Sequence, residues 1–285
     1  MIKNWFITGD THGDVYNRIK QISNNNNHET AIIILGDVGL NFFRNSLEYS
    51  RTDTLRKDLV NKVGLKVYCV RGNHEMRPKD VEISHCSLYS QYMVYRRIIM
   101  LETFDDDVHG NVYMEPDYPN IRYLMDGGEY EIDGHKTLVI GGAYSVDKQY
   151  RLANKEANGF CGWFENEMLT EYEMKEIEKK VSGNHYDFVF THTAPSEWTP
   201  EDTFTMQFPD VDVSMEVWMQ NLKEKISFNV WCFGHYHLDR IERPGVECMY
   251  MNIQKLQDVW SRWQQYQETG RLDFWCNKSP RFFWD

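Results

Sequence analysis

The sequence lacks a long hydrophobic run, and no stretch approaches the about 18 apolar residues that a membrane-spanning helix requires. The residues Met1–Asn4 lead directly into a predicted strand and not into a signal peptide. We therefore expect a soluble, cytoplasmic protein without a membrane partner.

Cysteine is scarce, and its six occurrences form no C-x-x-C pair. Cys69 and Cys232 fall inside predicted buried strands, where a thiol packs as a small apolar group. We interpret the cysteines as reduced core thiols in a reducing compartment. The alternative interpretation is a disulfide framework.

The sequence also lacks an excess of positive charge. Its 31 lysine and arginine residues stand against 43 acidic residues, which gives a net charge of −12. Such a chain repels nucleic acid at long range, so we expect no strong nucleic-acid surface. Hydrophobic residues make up 41% of the chain and charged residues 26%, which is ample for a full core and argues against global disorder.

The first third of the chain alternates short apolar runs with amphipathic segments. The pattern predicts three strands and two intervening helices: Lys3–Thr8, Asp14–Ile22, Ala31–Leu35, about Thr52–Val63 and Leu65–Val70. This order predicts neighbouring parallel strands with right-handed crossovers, and therefore an α/β fold. Ligands of such sheets gather at the carboxyl ends of the strands.

The rest of the chain contains a second set of elements. We predict strands over 129–132, 136–140, 187–190 and 228–233, with another possible strand over 250–253, and helices over 170–181, 214–226 and 256–266. A single domain spanning 1–285 is expected, with an irregular insertion at about 76–124 that could shape the substrate site. In that insertion, Asp105-Asp106-Asp107 is interpreted as a solvated loop, with a metal site as the alternative.

An aromatic extension covers about 254–285. Its last part, 272–284, has two interpretations: packing against the body of the protein, or the surface of a possible homodimer.

Polar, metal-ligating side chains follow five of the predicted strands. They lie in five short motifs: Gly9-Asp10-Thr11-His12-Gly13, Gly36-Asp37, Gly72-Asn73-His74-Glu75, Thr191-His192 and Gly234-His235-Tyr236-His237. Each motif alone is weak evidence, because a single Asp or His at a strand end commonly caps a turn or forms an ordinary hydrogen bond. Five of the ten histidines nevertheless follow strands in this way, and we expect them to converge at one edge.

The donor set consists of oxygen and nitrogen ligands without a thiolate, and it is too large for one tetrahedral ion. It suits two ions that share a carboxylate, clamp a phosphoryl group and bind a hydroxide nucleophile. An imidazole beside the ions, but not bound to them, could protonate the leaving oxygen.

In this order the motifs resemble those of the calcineurin-like metallophosphoesterases, over Met1 to about His237. The resemblance implies a four-layer α/β/β/α sandwich and two divalent or transition metal ions, such as manganese, iron or zinc. It places Asp10, His12, Asp37 and His237 at one ion, and Asp37, Asn73, His192 and His235 at the other. Asp37 would bridge the ions, and His74 would be the general acid.

Arg71-Gly72-Asn73-His74-Glu75 looks like the serine/threonine phosphoprotein phosphatases, but the second motif departs from their Gly-Asp-x-x-Asp-Arg-Gly. Leu40 replaces the Asp that orients the acid histidine, and Asn41 replaces an Arg that grips phosphate. Gly141–Asp147, with Lys148 and Arg151, resembles a stretch in uncharacterised bacterial and phage members. Because the Arg is absent, we predict that Arg71, Lys148 or Arg151 supplies the missing phosphate contact.

A phosphomonoesterase with a phosphate-ester substrate is the preferred function. The alternatives are a phosphodiesterase or nuclease, which the late Gly-His-x-His motif resembles, and a catalytically silent scaffold of the same fold.

Overall fold

The computed structural model describes residues 1–43, 50–81, 83–86, 95–98, 100–158, 162–200 and 210–271. The aromatic segment 272–284 lies outside these ranges, so its two interpretations stay predictions.

The first sheet has seven strands, of which the central four are parallel. Across the sheet, the strands run in the order β15, β1, β2, β3, β8, β7 and β6. Their bounds are β1 Asn4–Thr8, β2 Thr30–Ile34, β3 Lys66–Cys69, β6 Leu101–Asp105, β7 Gly110–Met114, β8 Ile121–Leu124 and β15 Gln254–Lys255. A separate hairpin pairs β4 Ile83–Cys86 with β5 Tyr95–Ile98.

The second sheet has six strands in the order β13, β14, β12, β11, β10 and β9. Their bounds are β9 Gly128–Ile132, β10 His135–Ile140, β11 His185–Thr191, β12 Ser227–Phe233, β13 Arg240–Arg243 and β14 Val246–Cys248. β10, β11, β12 and β14 are parallel, and the two outer strands are antiparallel to their neighbours.

Alternating side chains of the strands build three hydrophobic clusters. In β2, Ile33 faces a cluster shared with Phe190 and Val230 of the second sheet, whereas Ile32 and Ile34 face the opposite side. Successive strand residues point to opposite faces, so a continuously apolar strand such as β2 is covered on both. The shared cluster is the core between the two sheets.

The helices of the described residues are α1 Val15–Lys20, α2 Ser50–Val63, α3 Lys148–Asn158, α4 Glu171–Val181, α5 Ser214–Lys223 and α6 Leu256–Thr269. α6 packs Leu256 and Val259 into the cluster shared by the two sheets, whereas four other helices cover the outer faces. α1 and α2 contribute to the cluster outside the first sheet, and α4 and α5 contribute to the cluster outside the second. The predicted four-layer α/β/β/α arrangement is therefore confirmed. α4 begins with the predicted capping box, in which Thr170 and Glu173 bond reciprocally.

The segment expected to be an irregular insertion is partly regular. β6, β7 and β8 extend the first sheet beyond β3. Asp105 is likewise buried and not solvated, because it accepts hydrogen bonds from Tyr68 Oη, at 3.2 Å, and Arg122 Nε, at 2.7 Å. The helix α3 was not predicted, and the strand expected over 250–253 is found at 254–255.

Cys69, Cys232 and Cys248 are free and buried, and burial raises the pKa of each thiol. This confirms the core-thiol interpretation for Cys69 and Cys232. Within the described ranges, no helix has the length and apolar character needed to cross a bilayer.

Candidate metal centre

Both sheets contribute to one polar site at the carboxyl ends of their strands. The turns after β1, β2 and β3 supply Asp10, His12, Asp37, Asn73 and His74, and the turns after β11 and β12 supply His192, His235 and His237. The predicted convergence is therefore present, with the first sheet providing the oxygen ligands and the second sheet providing imidazoles alone.

Asp37 lies at the centre of the site. Its Oδ2 is 3.8 Å from His12 Nδ1 and 3.9 Å from His74 Nε2, and its Oδ1 is 3.7 Å from His192 Nε2. Oδ1 also accepts the backbone N–H of His74 at 2.8 Å. One carboxylate therefore contacts groups from both sheets and holds the start of the His74 turn.

Asp10 occupies the other side of the site. Its Oδ1 accepts the backbone N–H of His235 at 2.9 Å. Its buried Oδ2 lies 3.3 Å from His237 Nε2 and 3.8 Å from His12 Nε2, yet it receives no hydrogen bond from the described residues. A buried carboxylate oxygen without a donor is costly, and a cation satisfies it.

Two compact triads could each hold an ion: Asp10, His12 and His237, and Asp10, Asp37 and His192. In each triad the ligand atoms lie within 4.8 Å of one another. The donors are carboxylate oxygens and imidazole nitrogens, which divalent transition ions accept, so the residues fit the implied metals. Asp10 belongs to both triads, whereas the resemblance implies that Asp37 is shared; that division between the ions stays a prediction, as do the roles of Asn73 and His235.

Four of the candidate ligands have strained backbone. His12, Asp37, His235 and His237 have φ angles of 45°, 46°, 65° and 54°, in the left-handed region that non-glycine residues seldom adopt. Such strain costs of order 1–3 kcal/mol per residue and persists where the surrounding structure enforces it, typically at functional sites. The sharp turns aim these side chains at the centre of the site.

Two motif glycines leave room for ligands from other turns. A Cβ atom on Gly72 would lie 2.0 Å from Asp37 Oδ1, and one on Gly36 would lie 2.0 Å from His192 Nδ1. Gly36 has a φ of +99° as well. The glycines of the motifs therefore permit the close approach of the turns, which a sequence motif alone does not reveal.

Electrostatics keep the two carboxylates ionised. Burial opposes ionisation of Asp10, but the neighbouring His192 and His237 outweigh it and lower its pKa to about 2. Burial likewise opposes ionisation of Asp37, whose pKa His74, His192 and His12 hold well below its usual range. Burial, reinforced by His192, lowers the pKa of His235 to about 3, which keeps the ring neutral as a ligand must be.

A family model described as calcineurin-like phosphoesterase matches residues 6–239, which include every one of these residues. The chain belongs to the calcineurin-like phosphoesterase family. No curated protein matches it in sequence. Family membership makes the chain a metal-binding hydrolase of phosphate esters in general terms.

A cavity of about 180 Å³ lies beside the metal centre of this phosphoesterase. His12, Asp37, Gly39, Phe42, Phe43, Arg56, His74 and Arg151 line it. Arg151 Nη2 is 3.3 Å from His74 Nε2, while its Nε bonds both carboxylate oxygens of Asp147 at 2.8 Å. Arg151, predicted from the sequence, therefore reaches the cavity from α3.

Sequence reasoning missed Arg56 and the two phenylalanines. Arg56 donates to the Gly39 carbonyl at 3.0 Å, and its guanidinium lies 5.5 Å from the Phe43 ring. Its place on α2 carries no motif. The signal available was only its position on the helix that follows the Asp37 turn.

The other two predicted phosphate ligands lie elsewhere. Arg71 is buried, and its guanidinium donates to Asp126 Oδ2 at 2.9 Å, to Glu167 O at 2.5 Å and to Gly141 O at 3.2 Å. Lys148 Nζ lies over the Trp163 ring, 4.4 Å from its centroid. Neither Arg71 nor Lys148 is among the described residues that line the cavity. The acceptors of the Arg71 guanidinium are protein groups, which is typical of a supporting residue.

Asn41, which stands where a phosphate-gripping Arg was expected, is also buried. It accepts a hydrogen bond from Lys57 Nζ at 2.6 Å, and Lys57 forms a buried ion pair with Glu115. The departure from the phosphoprotein-phosphatase motif therefore accompanies a buried polar network beneath the site.

Proposed function

We propose that this chain is a dinuclear, metal-dependent phosphomonoesterase. The observation that carries the proposal is that His74 and two guanidinium groups, Arg56 and Arg151, line one cavity together with Asp37. His74 supports proton transfer to a leaving oxygen. Arg56 and Arg151 support recognition of a phosphate with more than one negative charge.

Asp10, His12, Asp37, Asn73, His192, His235 and His237 would hold two divalent ions. When bound, such ions supply Lewis-acid polarisation of the phosphoryl group and lower the pKa of water. The unsatisfied Oδ2 of Asp10 and the strained turns support an occupied metal centre over a silent scaffold, since an inactive scaffold has no need to retain either.

His74 would deliver a proton to the leaving oxygen from Nε2, once a bound phosphate has displaced the Arg151 hydrogen that now faces this nitrogen. Burial lowers the pKa of His74, and Arg151 lowers it further, while Asp37 raises it. A phosphate bound in the cavity would accept the Nη2 hydrogen that Arg151 now directs at His74 Nε2, 3.3 Å away. This exchange would place the phosphate against the imidazole that protonates its leaving group.

Charge favours a monoester over a diester. Two divalent ions would more than neutralise Asp10 and Asp37. Arg56 and Arg151, which also pair with Asp53 and Asp147, would add guanidinium donors for the phosphate. Arginine binds phosphate through charge-assisted, often bidentate hydrogen bonds, which a dianion with three terminal oxygens accepts better than a monoanionic diester. The volume of about 180 Å³ is also below the roughly 300–1,000 Å³ of pockets that enclose larger ligands.

The test compares 4-nitrophenyl phosphate with bis(4-nitrophenyl) phosphate on the manganese-loaded full chain. We expect kcat/KM for the monoester to exceed that for the diester by at least tenfold. A faster reaction with the diester would support the phosphodiesterase alternative, and no turnover of either ester by a chain that holds two ions would support the scaffold.

A further inference from the structure

The side-chain amide of Asn73 has a defined environment on both of its ends. Its Nδ2 lies 2.9 Å from Ser145 Oγ, and its Oδ1 lies 2.9 Å from His192 Nε2. All three residues are buried. Which end of the amide faces the metal centre depends on the protons that the neighbouring groups carry.

Glu167 determines the direction in which the hydroxyl proton of Ser145 points. Ser145 Oγ is 2.5 Å from Glu167 Oε2, and Ser145 N donates to Glu167 Oε1 at 3.0 Å. Burial raises the pKa of Glu167, and its hydrogen bonds from Ser145 oppose that shift. In its ionised form the carboxylate only accepts, so the single hydroxyl proton of Ser145 points at Glu167. Ser145 Oγ can then only accept from Asn73, which requires the amide nitrogen at that end.

The opposite end of the amide therefore presents an oxygen to His192. His192 Nδ1 lies 2.7 Å from the carbonyl oxygen of Leu35, which can only accept, so a ring proton is on Nδ1. A histidine that binds a metal ion through Nε2 must be neutral, with a lone pair on that nitrogen. Two acceptors, Asn73 Oδ1 and His192 Nε2, thus face each other at 2.9 Å. A cation between or beside them relieves the repulsion.

We propose that Ser145 and Glu167 are positioning residues that orient the amide of Asn73, so that its oxygen and not its nitrogen faces the metal centre. The inference rests on the proposed metal-dependent function. Neither residue belongs to a ligand motif of the sequence, and both act through Asn73.

The loop that carries Ser145 is fixed against the Asn73 turn. Gly142 N donates to the Arg71 carbonyl at 2.7 Å, and Arg71 Nη1 donates to the Glu167 carbonyl at 2.5 Å. Arg71 therefore holds both the ligand turn and the residue that supplies the carboxylate. Ligand-orienting contacts of this kind are typically worth about 10–100-fold in metal affinity.

The decisive variant is Glu167→Gln, which keeps the size of the side chain. The introduced amide can accept from Ser145 N, and it then directs its NH₂ group at Ser145 Oγ. The proton of Ser145 is then free to be donated to Asn73, so the amide is no longer held with its nitrogen toward Ser145 and can turn that nitrogen toward His192. Ser145→Ala removes the contact altogether, and Ser145→Thr retains the hydroxyl.

The measurement is Mn²⁺ binding to the metal-stripped full chain by equilibrium dialysis and calorimetry. We expect the wild type and Ser145→Thr to bind two ions, and Glu167→Gln and Ser145→Ala to bind the weaker ion about 10–100-fold less tightly. The control is Glu247→Gln, a buried glutamate held by Arg262 away from the site.

Wild-type Mn²⁺ affinity in Glu167→Gln would overturn the inference, as would an equal loss in Glu247→Gln, because the loss would then come from general destabilisation. A wild-type chain that binds fewer than two ions would overturn the proposed function instead. If Ser145→Ala does not fold, Glu167→Gln alone decides the outcome.

Discussion

The Nδ1 atom of His192 lies 2.7 Å from the carbonyl oxygen of Leu35, and the two residues follow strands of different sheets. This hydrogen bond fixes the ring proton of His192 and points its Nε2 at the site. The hydrogen bond that joins the two sheets at this point therefore also determines which nitrogen of the candidate ligand His192 faces the site.

Replacing Asp37 with asparagine should remove both ions. Asparagine tolerates the left-handed backbone of this position, so the fold should persist while the shared negative charge is lost. Elemental analysis should find fewer than one Mn²⁺ per chain, and phosphatase activity should disappear. The matched control is Asp106→Asn, at an exposed position, which should keep both ions. Retention of two ions by Asp37→Asn would contradict the central place given to this carboxylate.

Replacing His74 with glutamine should separate proton transfer from metal binding. The variant should hold as many ions as the wild type, while kcat falls about 10²–10⁴-fold on an alkyl phosphate. The loss should be smaller on 4-nitrophenyl phosphate, because nitrophenolate leaves without a proton. Equal losses on the two esters would show that His74 does not act as the acid. His185→Gln, at an exposed histidine, provides the control.

Replacing Arg151 with methionine should weaken recognition of the monoester. The loss of charge-assisted hydrogen bonds of about 1.5–3 kcal/mol corresponds to a decrease in kcat/KM of about 10–100-fold. The diester should be affected less. Lys148→Met should change kcat/KM little, since Lys148 lies over Trp163, and Arg71→Met should lower the melting temperature, since its partners are protein acceptors. The assignment fails if Lys148→Met has the larger effect on the monoester.

Glu75 should make stability depend on pH. Burial raises its pKa to about 8, against about 4.3 for an unfolded glutamate. Between these values the folded chain retains a proton that the unfolded chain has released, so the free energy of unfolding falls as the pH rises from about 5 to about 8. Glu75→Gln is neutral at every pH and can still accept from Gly72 N, which Glu75 Oε1 does at 2.9 Å.

The measurement is denaturation of Glu75→Gln and of the wild type, both with a chelator present, over this pH range. The stability of the variant relative to the wild type should increase with pH, by at most about 1.4 kcal/mol per unit. If the free energies of unfolding of the variant and the wild type change with pH in parallel, Glu75 is ionised in the folded chain.

The strands that carry the ligands could be predicted because local patterns encode them. The continuous apolar run of β2, for example, reports burial on both faces. β6, β7 and β8 were missed because their stabilising contacts come from distant residues, such as the bond from Tyr68 to Asp105. The run Asp105-Asp106-Asp107 suggests a solvated loop, because the sequence does not show that Tyr68 and Arg122 donate to Asp105.

The sequence by itself predicted the candidate ligands and the order of their strands, since strand ends and motif residues are read along the chain. Only the tertiary structure decided that Arg151 and Arg56 reach the cavity while Arg71 donates to Asp126 and to backbone carbonyls, and that Ser145, held by Glu167, contacts Asn73. The physical reason is that hydrogen-bond partners far apart in the chain, such as Arg71 and Glu167 at 96 positions, are selected by packing and not by spacing.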